Sequence, residues 1–207
     1  MKLVYGKGVN DLPYKVQKYE MIDGLCKRVW ICPYYDRWTG VVERCHSEKF
    51  KLRCPTYEDS AISDDWLKAS LFKDWMETKD WSNKVLDKDI LFPGNKLYSA
   101  ETCVFVPKEI NVAFSTNIKN LNRVLPTGVI YLEKEDKYLA QITTYGKLKK
   151  ILRSRNLEEV ILAYKSARES YIKELAVKHK NNIEQRVFEI LMNYEERSGE
   201  NYANIYK

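Results

Sequence analysis

The chain has 207 residues, with 35 Lys and Arg against 29 Asp and Glu, for a formal charge of +6. A length in this range allows one or two domains of roughly 100–200 residues. A 44% hydrophobic share is that of an ordinary globular chain and excludes global disorder. No apolar run approaches the roughly 20 residues of a membrane span, so no membrane partner is expected.

The opening stretch, Met1 to Lys15, lacks a long apolar core before a small-residue cleavage site, so a secretory signal is not expected and a cytoplasmic location is. The five cysteines, at 26, 32, 45, 54 and 103, form no Cys-x-x-Cys pair and read as reduced, mostly buried side chains. Cys45, His46, Cys54 and Cys103 could be drawn into a zinc site, but their spacing is not that of a zinc ribbon, and no structural Zn²⁺ is expected.

In chain order, residues 1–29 read as a polar lead-in, followed by an aromatic, cysteine-containing segment at 30–117. Within it, Trp66, Leu67, Leu71, Phe72 and Trp75 fall at helical spacing behind Asp64 and Asp65, acids that suit a helix N-terminus. That stripe reads as core. Residues 85–115 read as strand, turn at Pro93-Gly94-Asn95, strand at Cys103–Val106, then a helix from Lys108 to about Phe114 that Pro107 can open. Ser115 to Pro126 reads as a linker. Thr127–Leu132, Lys137–Thr144 and Lys147–Leu152 read as three short strands, broken at Glu133–Asp136 and Tyr145-Gly146. A long helix follows, with Asn156 as N-cap and apolar Leu157, Val160, Ile161, Tyr164, Ala167, Tyr171 and Leu175 on one stripe. A last helix lies near Asn182–Glu196. The fold class expected is α+β, with a C-terminal three-stranded antiparallel sheet packed on a long helix.

Charge is unevenly placed. Between residues 118 and 155 there are nine Lys or Arg and three Asp or Glu, an excess equal to that of the whole chain. A local basic field favours a polyanion, because neutralised phosphates release counterions. A solvated basic face with no ligand would show the same composition.

Two segments resemble known families. Trp38–Cys45, Pro55-Thr56-Tyr57, the Trp66–Trp75 stretch and the block LDKDILFPGNKLYSAETCVFVPKEIN at 86–111 together resemble phage-type HNH homing endonucleases. The matching residues of the block are Leu86, Asp87, Lys88, Gly94, Asn95, Tyr98, Glu101, Cys103 and Phe105. Gly128-Val129, Lys137–Ile142, Gly146-Lys147 and the helix around Ala163-Tyr164 resemble the plant ethylene-response-factor type of DNA-binding domain. The resemblance implies an N-terminal ββα-metal (HNH-like) nuclease core at 30–117, a DNA-binding domain at 118–176 and an extension with one extra helix at 177–207.

It also implies roles. Asp87 and Asn111 would share one divalent ion, Mg²⁺ or Mn²⁺, with Asp89 as a second carboxylate. Hard cations take such oxygen ligands, and one ion can neutralise a scissile phosphate. The family's general base, a His after the first Asp, is Lys88 here; an exposed lysine is a poor base at neutral pH. His46 is the alternative base or ligand, and Lys88 could instead hold a phosphate. The double-stranded DNA partner would meet Lys137, Gln141, Thr143 and Lys150 on the outward face of the sheet, with Lys134, Lys147 and Lys149 on phosphates. Two family arginine positions are Ile130 and Leu132 here, and the Leu-Gly-x-Phe turn before the helix is Ile151–Ser154. Three functions follow as expectations: a metal-dependent DNA endonuclease, a DNA-binding protein that no longer cuts, and a phage protein that binds a host protein through the aromatic surface of 30–80. The sequence leaves the oligomeric state and target site open.

Overall fold

The computed structural model describes residues 3–114 and 125–196. The chain is α+β and divides into two compact units, Met1–Val106 and Pro107–Lys207. Most of the linker expected at 115–126, with Lys119 and Arg123, lies outside the described residues. Among the described residues no helix is long and apolar enough to cross a membrane.

The N-terminal unit begins with a hairpin, β1 (Gln17–Ile22) and β2 (Leu25–Ile31), followed by α1 (Pro33–His46) and α2 (Glu48–Arg53). Pro33 opens α1, where its missing N–H costs nothing, and Asp36 in the first turn and Arg44 in the last suit the helix dipole. Its residues Trp38, Val41, Val42 and Cys45 recur at helical spacing and are all buried. Gly40 and the β-branched and aromatic residues make this a weak helix former, so burial of that stripe decides the conformation. The indole Nε1 of Trp38, fully enclosed, donates to the Trp66 carbonyl at 2.8 Å.

The stretch Asp64–Trp75 is not one helix. A 3₁₀ turn covers Asp65–Leu67, Lys68 is extended, and α3 runs from Ala69 to Glu77. The reason lies near the N-terminus. Val9 bridges Lys68 in parallel; its N–H donates to the Leu67 carbonyl and its carbonyl accepts from Ala69. Those bonds replace helical ones at Lys68. Leu71 accordingly faces out at 40% exposure, while Trp66 and Phe72 stack edge-on at 4.8 Å. The residues read as a polar lead-in are thus partly structural: Gly8 passes so close to Trp38 that a Cβ there would lie 2.8 Å from its ring.

After the two-residue strand β3 (Ala61–Ile62) and α3 come β4 (Lys84–Asp87), β5 (Leu97–Tyr98) and β6 (Val104–Pro107). β4 pairs with β6, and β5 pairs in parallel with β3. Tyr98, Cys103 and Phe105 complete a core with Trp38, Trp66, Phe72 and Met76.

In the C-terminal unit, α4 (Lys108–Phe114) precedes β7 (Val129–Leu132), β8 (Lys137–Thr144) and β9 (Lys147–Ser154), which form an antiparallel sheet in that order. α5 (Leu157–Lys178) packs on β8 and β9, and α6 (Gln185–Met192) packs on α5. Asn156 caps α5, its side chain accepting from the N–H groups of Glu158 and Glu159. Glu159 reaches back to the Ser154 hydroxyl at 2.7 Å, joining helix to strand. Arg168 ties the helices: it donates to the Ala113 carbonyl at the end of α4 at 2.7 Å, to the Tyr194 hydroxyl at 3.3 Å, and pairs with Glu196.

Candidate nucleic-acid interface and hydrolytic loop

The sheet sorts its side chains by alternation. Ala140, Ile142 and Thr144 of β8 are buried beside α5; Lys137, Gln141 and Thr143 have the opposite parity, which they share with the buried Leu139. The register pairs Gln141 with Lys150 and Thr143 with Leu148, so Lys150 shares their face. Lys147 and Lys149 pair with Thr144 and Ile142 and belong to the helix-bearing side, yet both are exposed on the edge strand. Lys134 lies in the 3₁₀ turn between β7 and β8. A bulge at Ala140/Gln141 changes the parity of β9, which is what brings Lys150 opposite Gln141.

Two acids of the β7–β8 connection face arginines. Glu135 takes a bidentate contact from Arg153 at 2.6 and 2.8 Å, and Asp136 pairs with Arg155 at 3.6 Å while accepting from the Tyr131 hydroxyl. Among the described residues, Lys134, Lys137, Lys147, Lys149 and Lys150 take part in no ion pair. The five lysines expected to meet DNA thus have no acid partner, whereas Arg153 and Arg155 each have one.

The hydrolytic loop expected around Asp87 is built differently from a bare carboxylate pair. Asp87 ends β4, and its Oδ1 accepts from the N–H groups of Asp89 and Ile90, both at 2.8 Å. Burial pushes its carboxyl above the usual carboxylate range, against the pull of those two N–H groups; Asp89 adds to the rise and Lys88 opposes it. Lys88 is buried. Its ammonium donates to the Asn95 carbonyl and to Asp89 Oδ1, both at 2.6 Å, and lies 5.9 Å from the Tyr98 ring centre. Asn95 returns a bond from Nδ2 to the Lys88 carbonyl at 3.0 Å. Two acceptors on Nζ are the surroundings of a donor, not of a general base.

His46 closes α1. Its Nε2 is enclosed without a hydrogen-bond partner, and desolvation, then Lys51 and Lys7, lower its pKa. Lys7 and Lys51, rather than Asp87, are the charges that act on it. Asn111 stands on α4 in the C-terminal unit, whereas Asp87, Lys88, Asp89 and His46 belong to the N-terminal one. No group of three His, Cys, Asp or Glu able to hold a metal gathers among the described residues. Asp89 is already neutralised by Lys88, and one oxygen of Asp87 is engaged by the backbone. This donor set does not fit a divalent ion while Lys88 keeps its place. The cysteines are all free, with Cys45 and Cys103 buried in the core, where burial raises their thiol pKa to about 11 and about 12.

With this geometry in hand, no protein-family model, curated protein or solved structure matches the chain.

Proposed function

We propose that the protein binds double-stranded DNA through the β7–β8–β9 sheet, in the manner that the resemblance of this segment to the plant ethylene-response-factor type of DNA-binding domain implies. The observation that carries this is the set of five lysines without an acid partner on one small sheet and its β7–β8 turn. Lys137, Gln141, Thr143 and Lys150 share the face that would meet base edges; Lys134, Lys147 and Lys149 would hold phosphate. The test is anisotropy of a labelled duplex across a salt series. Replacing Lys147, Lys149 and Lys150 by Ala should lower the slope of log affinity against log salt by about 2, close to one unit for each of the phosphate contacts of Lys147 and Lys149. No binding by the wild type at low salt, or an unchanged slope, would overturn the reading.

A second reading adds phosphodiester hydrolysis at Asp87, as the resemblance implies; it requires Lys88 to leave Asp89 and free the site for an ion. Its support is a half-buried carboxyl at the end of β4 whose pKa desolvation raises. Incubation with supercoiled plasmid and Mg²⁺ or Mn²⁺ decides it. Nicking by the wild type and none by Asp87→Asn supports hydrolysis. DNA binding with no nicking by the wild type leaves a binding protein in which Lys88 braces the loop.

A further inference from the structure

Every residue from Lys18 to Trp30 is exposed. β1 and β2 therefore form a ribbon buried on neither face, closed by Asp23-Gly24 with both φ angles positive, +52° and +73°. This is the turn that matches strand twist in a tight hairpin. Isolated ribbons are marginal in water, yet this one presents Tyr19, Met21, Ile22, Leu25, Val29 and Trp30 to solvent.

The register orders these side chains. Ile22 sits beside Leu25 and Met21 beside Cys26, so the tip is apolar on both faces. Behind the tip come Lys27, opposite Glu20, and Arg28, opposite Tyr19; Lys18 lies 5.5 Å over the Trp30 ring at the base. From Lys15 to Ile31 there are four basic and two acidic residues. The pair between Lys27 and Asp23 is long, 3.5 Å, and open to solvent, where such pairs hold little charge back from a third partner.

A flat partner would cover one face of this ribbon and leave the apolar groups of the other in water. A groove encloses both faces at once. The major groove of B-form DNA, about 12 Å wide, admits a two-stranded ribbon, and its phosphate walls complement the basic flanks. We propose that the β1–β2 arm enters a groove of duplex DNA, with the Ile22–Leu25 tip against the bases and Lys18, Lys27 and Arg28 against the phosphates. This rests on the DNA-binding reading above and adds a contact made by the other unit.

The experiment compares full-length wild type, Ile22→Ser with Leu25→Ser, Lys27→Ala with Arg28→Ala, and the Lys147/Lys149/Lys150 triple variant, on a labelled duplex of about four helical turns. Because the arm residues are exposed, melting temperatures should match the wild type. The tip variant should bind about 10-fold more weakly with the salt slope kept, and the flank variant should lose about 2 from the slope. Both should shorten a hydroxyl-radical footprint at one end. Arm variants that bind and footprint like the wild type, while the triple variant is weakened, would overturn the arm and leave the sheet reading intact. A wild type that binds no duplex would remove both. A wild-type dimer in sedimentation that the tip variant dissociates would assign the arm to a second copy of the chain and overturn the proposal.

Discussion

Replacing Gly128 by Ala probes the closest approach of sheet and helix in the C-terminal unit. Gly128 has φ of +79°, and a Cβ there would lie 1.9 Å from Cε2 and 2.3 Å from Cδ2 of Tyr164. The left-handed backbone disfavours any L side chain by about 1–2 kcal/mol. The ring is buried, 3% exposed, so it cannot swing into solvent, and overpacking of a core costs about 1–3 kcal/mol more. Together these give about 2–5 kcal/mol, which in a unit of this size lowers the melting temperature by about 10–30 °C. The signals separate conveniently. All five tryptophans, at 30, 38, 66, 75 and 81, lie in the N-terminal unit, while the 22-residue α5 belongs to the other. Circular dichroism of Gly128→Ala should therefore show helix lost well below the wild-type temperature, ahead of the tryptophan transition. Adding Tyr164→Ala removes the clash, so the double variant should lose less than the two single losses summed. A Gly128→Ala chain melting within about 2 °C of the wild type would refute the close contact.

Other outcomes follow from the same geometry. Asp87→Asn keeps an acceptor for the two turn N–H groups and removes a charge that burial opposes; a carboxyl raised in the folded state stabilises below its unfolded pKa and loses that contribution as pH rises through the folded value. At neutral pH, urea unfolding should thus find Asp87→Asn as stable as the wild type or more so, and Asp87→Ala weaker by about 1–2 kcal/mol. His46 runs the other way: its lowered pKa means the unfolded chain takes the proton more readily, so stability is full above the unfolded value and falls as pH drops through the folded one. The tryptophan-detected urea midpoint should fall between about pH 7 and pH 5 in the wild type and fall less in His46→Gln; parallel falls would disprove the role. Asn156→Ala, which strips the cap from α5, should cost about 1 kcal/mol by the circular dichroism transition.

What could be read from the sequence was what rests on local pattern. α5 announced itself by Asn156 and a long apolar stripe, and the sheet by three β-prone runs separated by turn-like breaks. What could not be read depends on partners far along the chain. Helix α1 holds weak helix formers, and only burial of Trp38 under Trp66 makes it helical. The break at Lys68 comes from Val9, 59 residues earlier in the chain. The β1–β2 arm did carry a signal, Asp-Gly between two β-prone runs, that the polar composition of the segment obscured. At the candidate sites, the basic sheet was legible from charge density. The bracing of Lys88 was not, because its acceptor is a backbone carbonyl seven residues away, and a carbonyl has no side-chain signature.

The two kinds of cation in the C-terminal unit refine what its charge can do. Arg153 meets Glu135 through two bonds, and Arg168 is held among Ala113, Tyr194 and Glu196. A guanidinium fork suits such fixed, multi-point contacts, whereas an ammonium on a flexible stem is a point charge that follows a moving partner. Arg153 and Arg168 serve architecture here. On the sheet and its β7–β8 turn, the cations without an acid partner are Lys134, Lys137, Lys147, Lys149 and Lys150. The contacts of Lys134, Lys147 and Lys149 with phosphate would be electrostatic and non-directional, supplying affinity and register without reading bases. Discrimination between sequences would fall to Gln141 and Thr143, whose hydrogen bonds are directional. Hence Gln141→Ala should flatten preference among duplexes while leaving the salt slope alone, and Lys147→Ala with Lys149→Ala should do the reverse.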